Sequence, residues 1–205
     1  MKLVLASSSA RRAEILANAG FTFDTLPTSV SESRLPDESA EHMVRRLAEA
    51  KVRAAAAKLP RSAMVIGADT VVRIDDAVLG KPASAEDARA MLRRLSGRTH
   101  EVLTGLAVMR VPEGASRPSR LRASVETETT RVSFAPLTSE EIDEYVASGE
   151  PMDKAGAYGI QGRGGRFVTG VEGCYFNVVG LPLARLYRML REFGWREESG
   201  VYPEK

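Results

Sequence analysis

The apolar and polar positions of this chain keep switching between two periods, and the switches predict its elements. Residues 2–6 read as a short buried strand. Ser9 is a preferred helix N-cap, and Ile15, Leu16 and Ala19 behind it form a helical stripe that Gly20 stops. Phe21–Leu26 reads as a second strand, and the polar stretch TSVSESRLPDE, 28–38, as a loop. A long helix is predicted from about Ser39 to Lys58, its stripe being Met43, Leu47, Ala50, Ala54 and Ala57, with Pro60 just past its end. Met64–Ile74, MVIGADTVVRI, is β-rich, and 77–82 is its hairpin return or a loop. Ser84 with Asp87 resembles a capping box for a helix through Leu95, which Gly97 ends. Val102–Val111 and Leu121–Phe134 read as strands joined by the loop PEGASRPS. Thr138 and Glu141 form a second capping box, opening a helix to Ala147. Residues 154–165, KAGAYGIQGRGG, are too glycine-rich for either period. A strand is expected over Phe167–Val171, then a final helix from Pro182, at the first helical position, to Phe193.

Strands alternate with helices early and cluster in the middle. With no internal repeat and no low-complexity linker, this predicts one α/β domain with a mixed sheet over residues 1–195, followed by a polar tail, 196–205. A chain of 205 residues is long enough for one well-buried core, with room for two lobes.

Charge narrows the function classes. The 29 basic and 27 acidic residues leave a formal charge of +2, so no global field draws the protein to nucleic acid or to an anionic membrane. An anion site must be built locally. The lone cysteine, Cys174, excludes an intrachain disulfide and suits a reducing cytoplasm. The first apolar run ends at Ala6 before two arginines, unlike a signal peptide, and no apolar stretch reaches the roughly 18 residues of a membrane span.

Four stretches carry candidate chemistry. In SSSARR, Ser7, Ser8 and Ser9 offer hydroxyls at a helix start, where backbone N–H groups are free. Arg11 and Arg12 add forked donors suited to phosphate. An ordinary serine cap with two solvated arginines is the alternative. In GADTVV, Asp69 stands in an apolar run where burial is costly without a task, such as holding a divalent cation or orienting a water; capping a turn is the alternative. Thr70 beside it offers a hydroxyl on the other face. LGKP places Lys81 on a turn, while Lys51 lies in the long helix and Glu32 in the polar loop. Lys81 there can act as a point charge toward phosphate, whereas a charge such as Lys51 or Glu32 alone is more often a solvated surface residue. In KAGAYGIQGRGG the glycines allow close backbone approach to a ligand, and the Gln161 amide can pair with a base edge; a surface loop is the alternative. His42 and His100 are isolated in sequence, and no cluster has zinc spacing.

Taken in order, SSSARR, GADTVV, LGKP, DKAGAYGIQG and VEGCYFNVVGLPL resemble the Maf family of nucleotide pyrophosphatases, over roughly residues 3–193. The resemblance implies a two-lobed α/β fold related to the inosine triphosphate pyrophosphatases, with a cleft between the lobes. It implies metal-assisted hydrolysis of nucleoside triphosphates to monophosphate and pyrophosphate, with Mg²⁺ or Mn²⁺ as cofactor. It assigns Asp69 as general base, Glu32 and Asp69 to the metal, and Ser7, Arg12, Lys51 and Lys81 to the phosphates. Arg11, Thr70 and Gln161 fall at the positions that mark the branch acting on dTTP and UTP; the 7-methyl-GTP branch typically has tryptophan, glutamine and glutamate there. Ala10 departs from the family's usual proline. A homodimer is expected from the resemblance alone. Two other readings stand beside it: a non-catalytic nucleotide-binding regulator of cell division, and a pyrophosphatase for modified nucleotides.

Overall fold

A computed structural model describes residues 1–59, 62–113 and 121–196. Pro60, most of the PEGASRPS loop and the tail beyond Arg196 lie outside the described residues. Among the described residues, seven strands form one mixed sheet: β1 (Lys2–Leu5), β2 (Phe23–Thr25), β3 (Ala63–Ile74), β4 (Ala77–Leu79), β5 (Thr99–Val111), β6 (Ala123–Phe134) and β7 (Val168–Glu172). Their order is β2-β1-β3-β5-β6-β7, with β4 paired to β3. The β2, β1 and β3 pairings are parallel; the others are antiparallel. The helices are α1 (Ala10–Asn18), α2 (Ala40–Ala56), α3 (Ala85–Leu95), α4 (Ser139–Ala147), α5 (Tyr175–Val179) and α6 (Leu183–Glu192).

The strand period sorts β3 into two faces. Val65, Gly67, Asp69 and Val71 face α2, whose Val44, Leu47, Ala48 and Val52 pack there. Met64, Ile66, Ala68, Thr70 and Val72 face the other helices. On that second face the core divides. One apolar cluster joins β1, α1 and α6 to Ile66, Ala68 and Leu106. Another joins α3 and α4 to Val72, Val102 and Val132. Between them runs a polar seam: Thr70 bonds Thr104 at 2.9 Å, Thr104 donates to the carbonyl of Asn177, and the Asn177 amide donates to Val102 O and Thr130 Oγ1.

Several expectations shift. The buried face of α2 is Met43, Val44, Leu47, Ala48, Lys51, Val52, Ala55 and Ala56, while Ala57 is exposed. The periodic row 43, 47, 51, 55 passes through Lys51; a reading that skips the charge drifts onto the wrong alanines. Ala19 is likewise exposed, serving as the C-cap of α1. At α3 the Ser84 hydroxyl accepts from Asp87 N, but the Asp87 carboxylate bonds Ala83 N, so the box is not reciprocal; that at Thr138 and Glu141 is. Strand β5 begins at Thr99, taking in His100. Pro182 is the N-cap of α6, one residue before its first turn. The glycine-rich segment holds short 3₁₀ turns at Glu150–Asp153, Ala155–Ala157 and Arg163–Phe167.

The sheet has an interrupted edge. Along β3, one edge is paired by β5 from Ala63 to Arg73. The other edge is paired by β1 only at Ala63–Ile66 and by β4 only at Val72–Ile74. Among the described residues, Gly67 to Val71 therefore have no strand on that side. The ends of β1 and β4 deliver Ser7 and Lys81 to the two margins of the gap.

Candidate active site

A cleft of about 770 Å³ opens at this gap. Ser7, Arg11, Arg12, Glu32, Lys51, Asp69, Thr70, Lys81 and Gln161 all line it. Because the sheet edge is open, side chains from both faces of β3 reach the same space.

Asp69 is 7% exposed and points toward α2. The buried Lys51 ammonium donates to Asp69 Oδ1 at 2.6 Å and to Glu32 Oε1 at 2.7 Å. Burial pushes the Asp69 carboxyl above its usual range, against the pull of Lys51 and Arg12. Glu32 sits below its usual value: burial raises it, but Lys51, Lys81 and Arg12 together outweigh that. Glu32 is placed by its loop. There Glu38 accepts from Leu35 N, from Arg46 Nε and Nη2 and lies 3.0 Å from His42 Nδ1, while Arg46 also donates to Ser33 O.

Among the described residues no group of three or more His, Cys, Asp or Glu converges on one point. Glu32 and Asp69 do present two carboxylates around a single cation, the Lys51 ammonium. That donor set fits Mg²⁺ or Mn²⁺ bound as Mg²⁺ usually is, through one or two carboxylates with phosphate and water completing the shell.

The start of α1 forms the opposing margin. Ala10 opens the helix at a position where proline also fits, so the departure there leaves the geometry intact. Ser9 caps it, accepting from Arg12 N, and Ser7 Oγ accepts from Ser9 N and from Arg12 Nη1. Both hydrogen bonds use the Ser7 oxygen as acceptor, which leaves its hydrogen free to donate. Arg12 also donates to Gly180 O at 2.8 Å and to Thr70 Oγ1 at 3.1 Å. Three of its five N–H groups are thus spent inside the protein, and two remain. Burial lowers its pKa, partly countered by Asp69 and Glu32. Lys81 is exposed at the far margin, and its charge acts on Glu32.

The glycine-rich segment closes the third side. Gly156 donates to Gly80 O and has φ +69°, and a Cβ there would lie 2.7 Å from Val72. Ala157 is buried with φ 59°, a backbone state costly for a residue with a side chain. Tyr158 follows, buried edge-on against His100 and Phe134, its hydroxyl 2.8 Å from His100 Nε2. Gln161 is exposed at the cleft. Tyr145, Glu150, Asp153 and Lys154 also hold this wall and were not singled out from the sequence. Asp153 and Lys154 stand inside the DKAGAYGIQG motif; Tyr145 and Glu150 precede it and carry no local signal.

The Maf-like protein family profile matches residues 2–193. The dTTP/UTP pyrophosphatase of Koribacter versatilis (strain Ellin345) is 52% identical over 194 residues, covering 95% of each chain. That of Geobacillus sp. (strain WCH70) is 50% identical, covering 95% of this chain and 99% of its own. That of Escherichia coli O157:H7 is 49% identical over 197 residues, covering 96% and 95%. Among solved structures, a HAM1 protein from Coxiella burnetii aligns over 94% of this chain and 99% of its own, at 16% identity and a TM-score of 0.49. No helix among the described residues is long and apolar enough to cross a membrane. Since the match runs from the first strand to the end of the last helix, the chain belongs to the Maf-like protein family.

Proposed function

We propose that this protein hydrolyses nucleoside triphosphates, dTTP and UTP above others, to the monophosphate and pyrophosphate. The observation that carries the reading is the single cleft in which Asp69, Lys51 and Glu32 face the start of α1 and the Gln161 loop. The names of relatives at about half identity across nearly the full length support it.

Water attacks the α-phosphorus, the bond to the bridging oxygen breaks, and pyrophosphate leaves. Asp69 accepts the water's proton. Burial makes its carboxylate more basic than an exposed one, and Lys51 keeps it ionised. Arg12, Lys51 and Lys81 offset charge on the triphosphate and on the leaving pyrophosphate. Ser7 donates its free hydrogen to a phosphate oxygen, beside the N–H groups at the start of α1. Glu32 and Asp69 would hold the divalent cation, which supplies further charge neutralisation at the phosphates. Gln161, with an adjacent donor and acceptor, pairs with the N–H and carbonyl of a uracil or thymine edge. Arg11 and Thr70 complete the selection.

The test is pyrophosphate release with Mg²⁺ or Mn²⁺ across dTTP, UTP, CTP, GTP, ATP, ITP and 7-methyl-GTP, for the native protein and Asp69→Asn. Preference for dTTP and UTP, with turnover lowered ~10²–10⁴-fold in a folded Asp69→Asn, is expected. No release from any nucleotide by folded, metal-loaded protein removes the reading.

A further inference from the structure

The 3₁₀ turn Glu150–Asp153 carries two carboxylates that serve two different parts of the cleft wall. Glu150 Oε2 accepts from Arg163 N at 3.0 Å, and Oε1 accepts from Gly164 N at 3.3 Å and from the Tyr145 hydroxyl at 3.0 Å. The same hydroxyl accepts from Gly159 N at 3.1 Å. Gly159 and Gly164, on either side of Gln161, thus hang from one Tyr–Glu pair. The 3₁₀ turn Arg163–Phe167 has glycine at its N-cap and no cap of its own, so the Glu150 carboxylate supplies from a distance what a capping side chain would. A Cβ at Gly162 would lie 2.4 Å from Glu150 Oε1, so a side chain there would push the carboxylate away from its N–H partners. The anchor is stiff: Tyr145 is fully buried, with its ring edge-on to Phe167 at 5.2 Å.

Asp153 reaches the other way. Its Oδ2 accepts from Arg11 Nη1 at 2.8 Å, and its carbonyl accepts from Arg11 Nη2 at 3.3 Å. Its Oδ1 accepts from Lys154, which also donates to Glu150 O and staples the turn. Arg11 lies on α1, whose Ala13, Ile15 and Leu16 pack in the first apolar cluster, while Met152 packs against the second. The Asp153–Arg11 pair therefore joins the two sides of the cleft.

We infer that Glu150 and Asp153 are positioning residues for base selection: Glu150 fixes the loop that presents Gln161, and Asp153 fixes the guanidinium of Arg11. This rests on the reading that Gln161 and Arg11 meet the base. The Gln161 side chain has no hydrogen bond to the described residues, so the backbone of its loop alone sets where it stands. A small displacement of that loop moves the amide while leaving Asp69 and Lys51, on other elements, in place.

The experiment is steady-state kinetics with UTP, dTTP, CTP and GTP for Glu150→Gln, Asp153→Asn, Gln161→Ala and the double variant Glu150→Gln/Gln161→Ala, with thermal unfolding of each. In Glu150→Gln one carboxylate oxygen becomes an NH₂ that cannot accept a backbone N–H. Misplacement of this kind is expected to raise KM for UTP and dTTP ~10–100-fold with kcat little changed, and to shrink the preference for UTP over CTP. The double variant should lose no more selectivity than Gln161→Ala alone, because Glu150 acts through that loop. Tyr145→Phe deletes only the hydroxyl shared by Glu150 and Gly159, and carries the test if Glu150→Gln does not fold. Native selectivity in Glu150→Gln, Tyr145→Phe and Asp153→Asn, with selectivity lost in Gln161→Ala, overturns the inference and leaves the base reading standing. An equal fall in kcat for every nucleotide, tracking a fall in Tm, also overturns it, since that is a structural role. Native selectivity in Gln161→Ala removes the base reading and the inference together.

Discussion

Lys51 occupies a position on α2 where the helical pattern calls for an apolar side chain, and its ammonium is held by Asp69 and Glu32. A charge in such a place is stable only with its partners. Removing one member of a buried pair typically costs about 3–5 kcal/mol, because the other is left uncompensated. Lys51→Met should therefore destabilise strongly, while Lys51→Met/Asp69→Asn, which leaves no stranded buried carboxylate, should be more stable than the single variant. Urea unfolding of both measures this; a double variant no more stable than Lys51→Met would mean that the loss comes from packing instead. Both variants should fail to release pyrophosphate, which separates the stability of the pair from its use.

Helix α2 brings Lys51 to Asp69 only because the sheet beneath it lacks two side chains. A Cβ at Gly105 would sit 2.1 Å from Val44 O, and one at Gly67 would sit 2.8 Å from Ala48 O. Gly105→Ala must lift the helix or strain the strand, at about 1–3 kcal/mol or more. Turnover should drop at temperatures where the variant is still folded, since the lift also moves Lys51; native turnover in a destabilised Gly105→Ala would show that the pair tolerates the shift. The existence of α2, β3 and the capped α4 was legible from period and caps, because those signals are local. The short α5 and the 3₁₀ turns were not, having fewer residues than a helical period needs to declare itself. Asp69 was legible as an acid in an apolar strand. Glu150 and Tyr145 were not, because their task is set by a loop that reaches them through folding. Arg12 was legible as a donor, yet its bonds to Gly180 and Thr70 depend on how α1 meets β3 and the turn after α5.

At the scale of the whole molecule, three of the described groups that titrate in acid are shifted furthest and shape its response to pH. His100 lies in the second apolar cluster beneath Tyr158, and burial lowers its pKa from 6.5 to about 4. Between those values the unfolded chain binds more protons than the native one, so stability falls as pH falls from 6.5 toward 4. A depression of that size costs about 2 kcal/mol at pH 5. Glu38 and Asp153 act lower. Arg46, despite burial, brings Glu38 from 4.5 to about 2, and Lys154 and Arg11, again despite burial, bring Asp153 from 3.8 to about 2. Their contribution is present above the ordinary values and is lost as pH falls through the folded ones. Asp69, raised by burial, works in the opposite sense and binds its proton more readily when folded. Stability should thus descend in two stages, the first above pH 4 and the second below about 4.5. His100→Gln keeps a hydrogen-bonding group toward Tyr158 and cannot titrate. It should flatten the first stage and leave the second, whereas Glu38→Gln should weaken only the second. Urea midpoints at steps from pH 7 to pH 3 separate the two. An unchanged first stage in His100→Gln would show that another group carries it, and that the aromatic cluster under the cleft can take up a proton without loss.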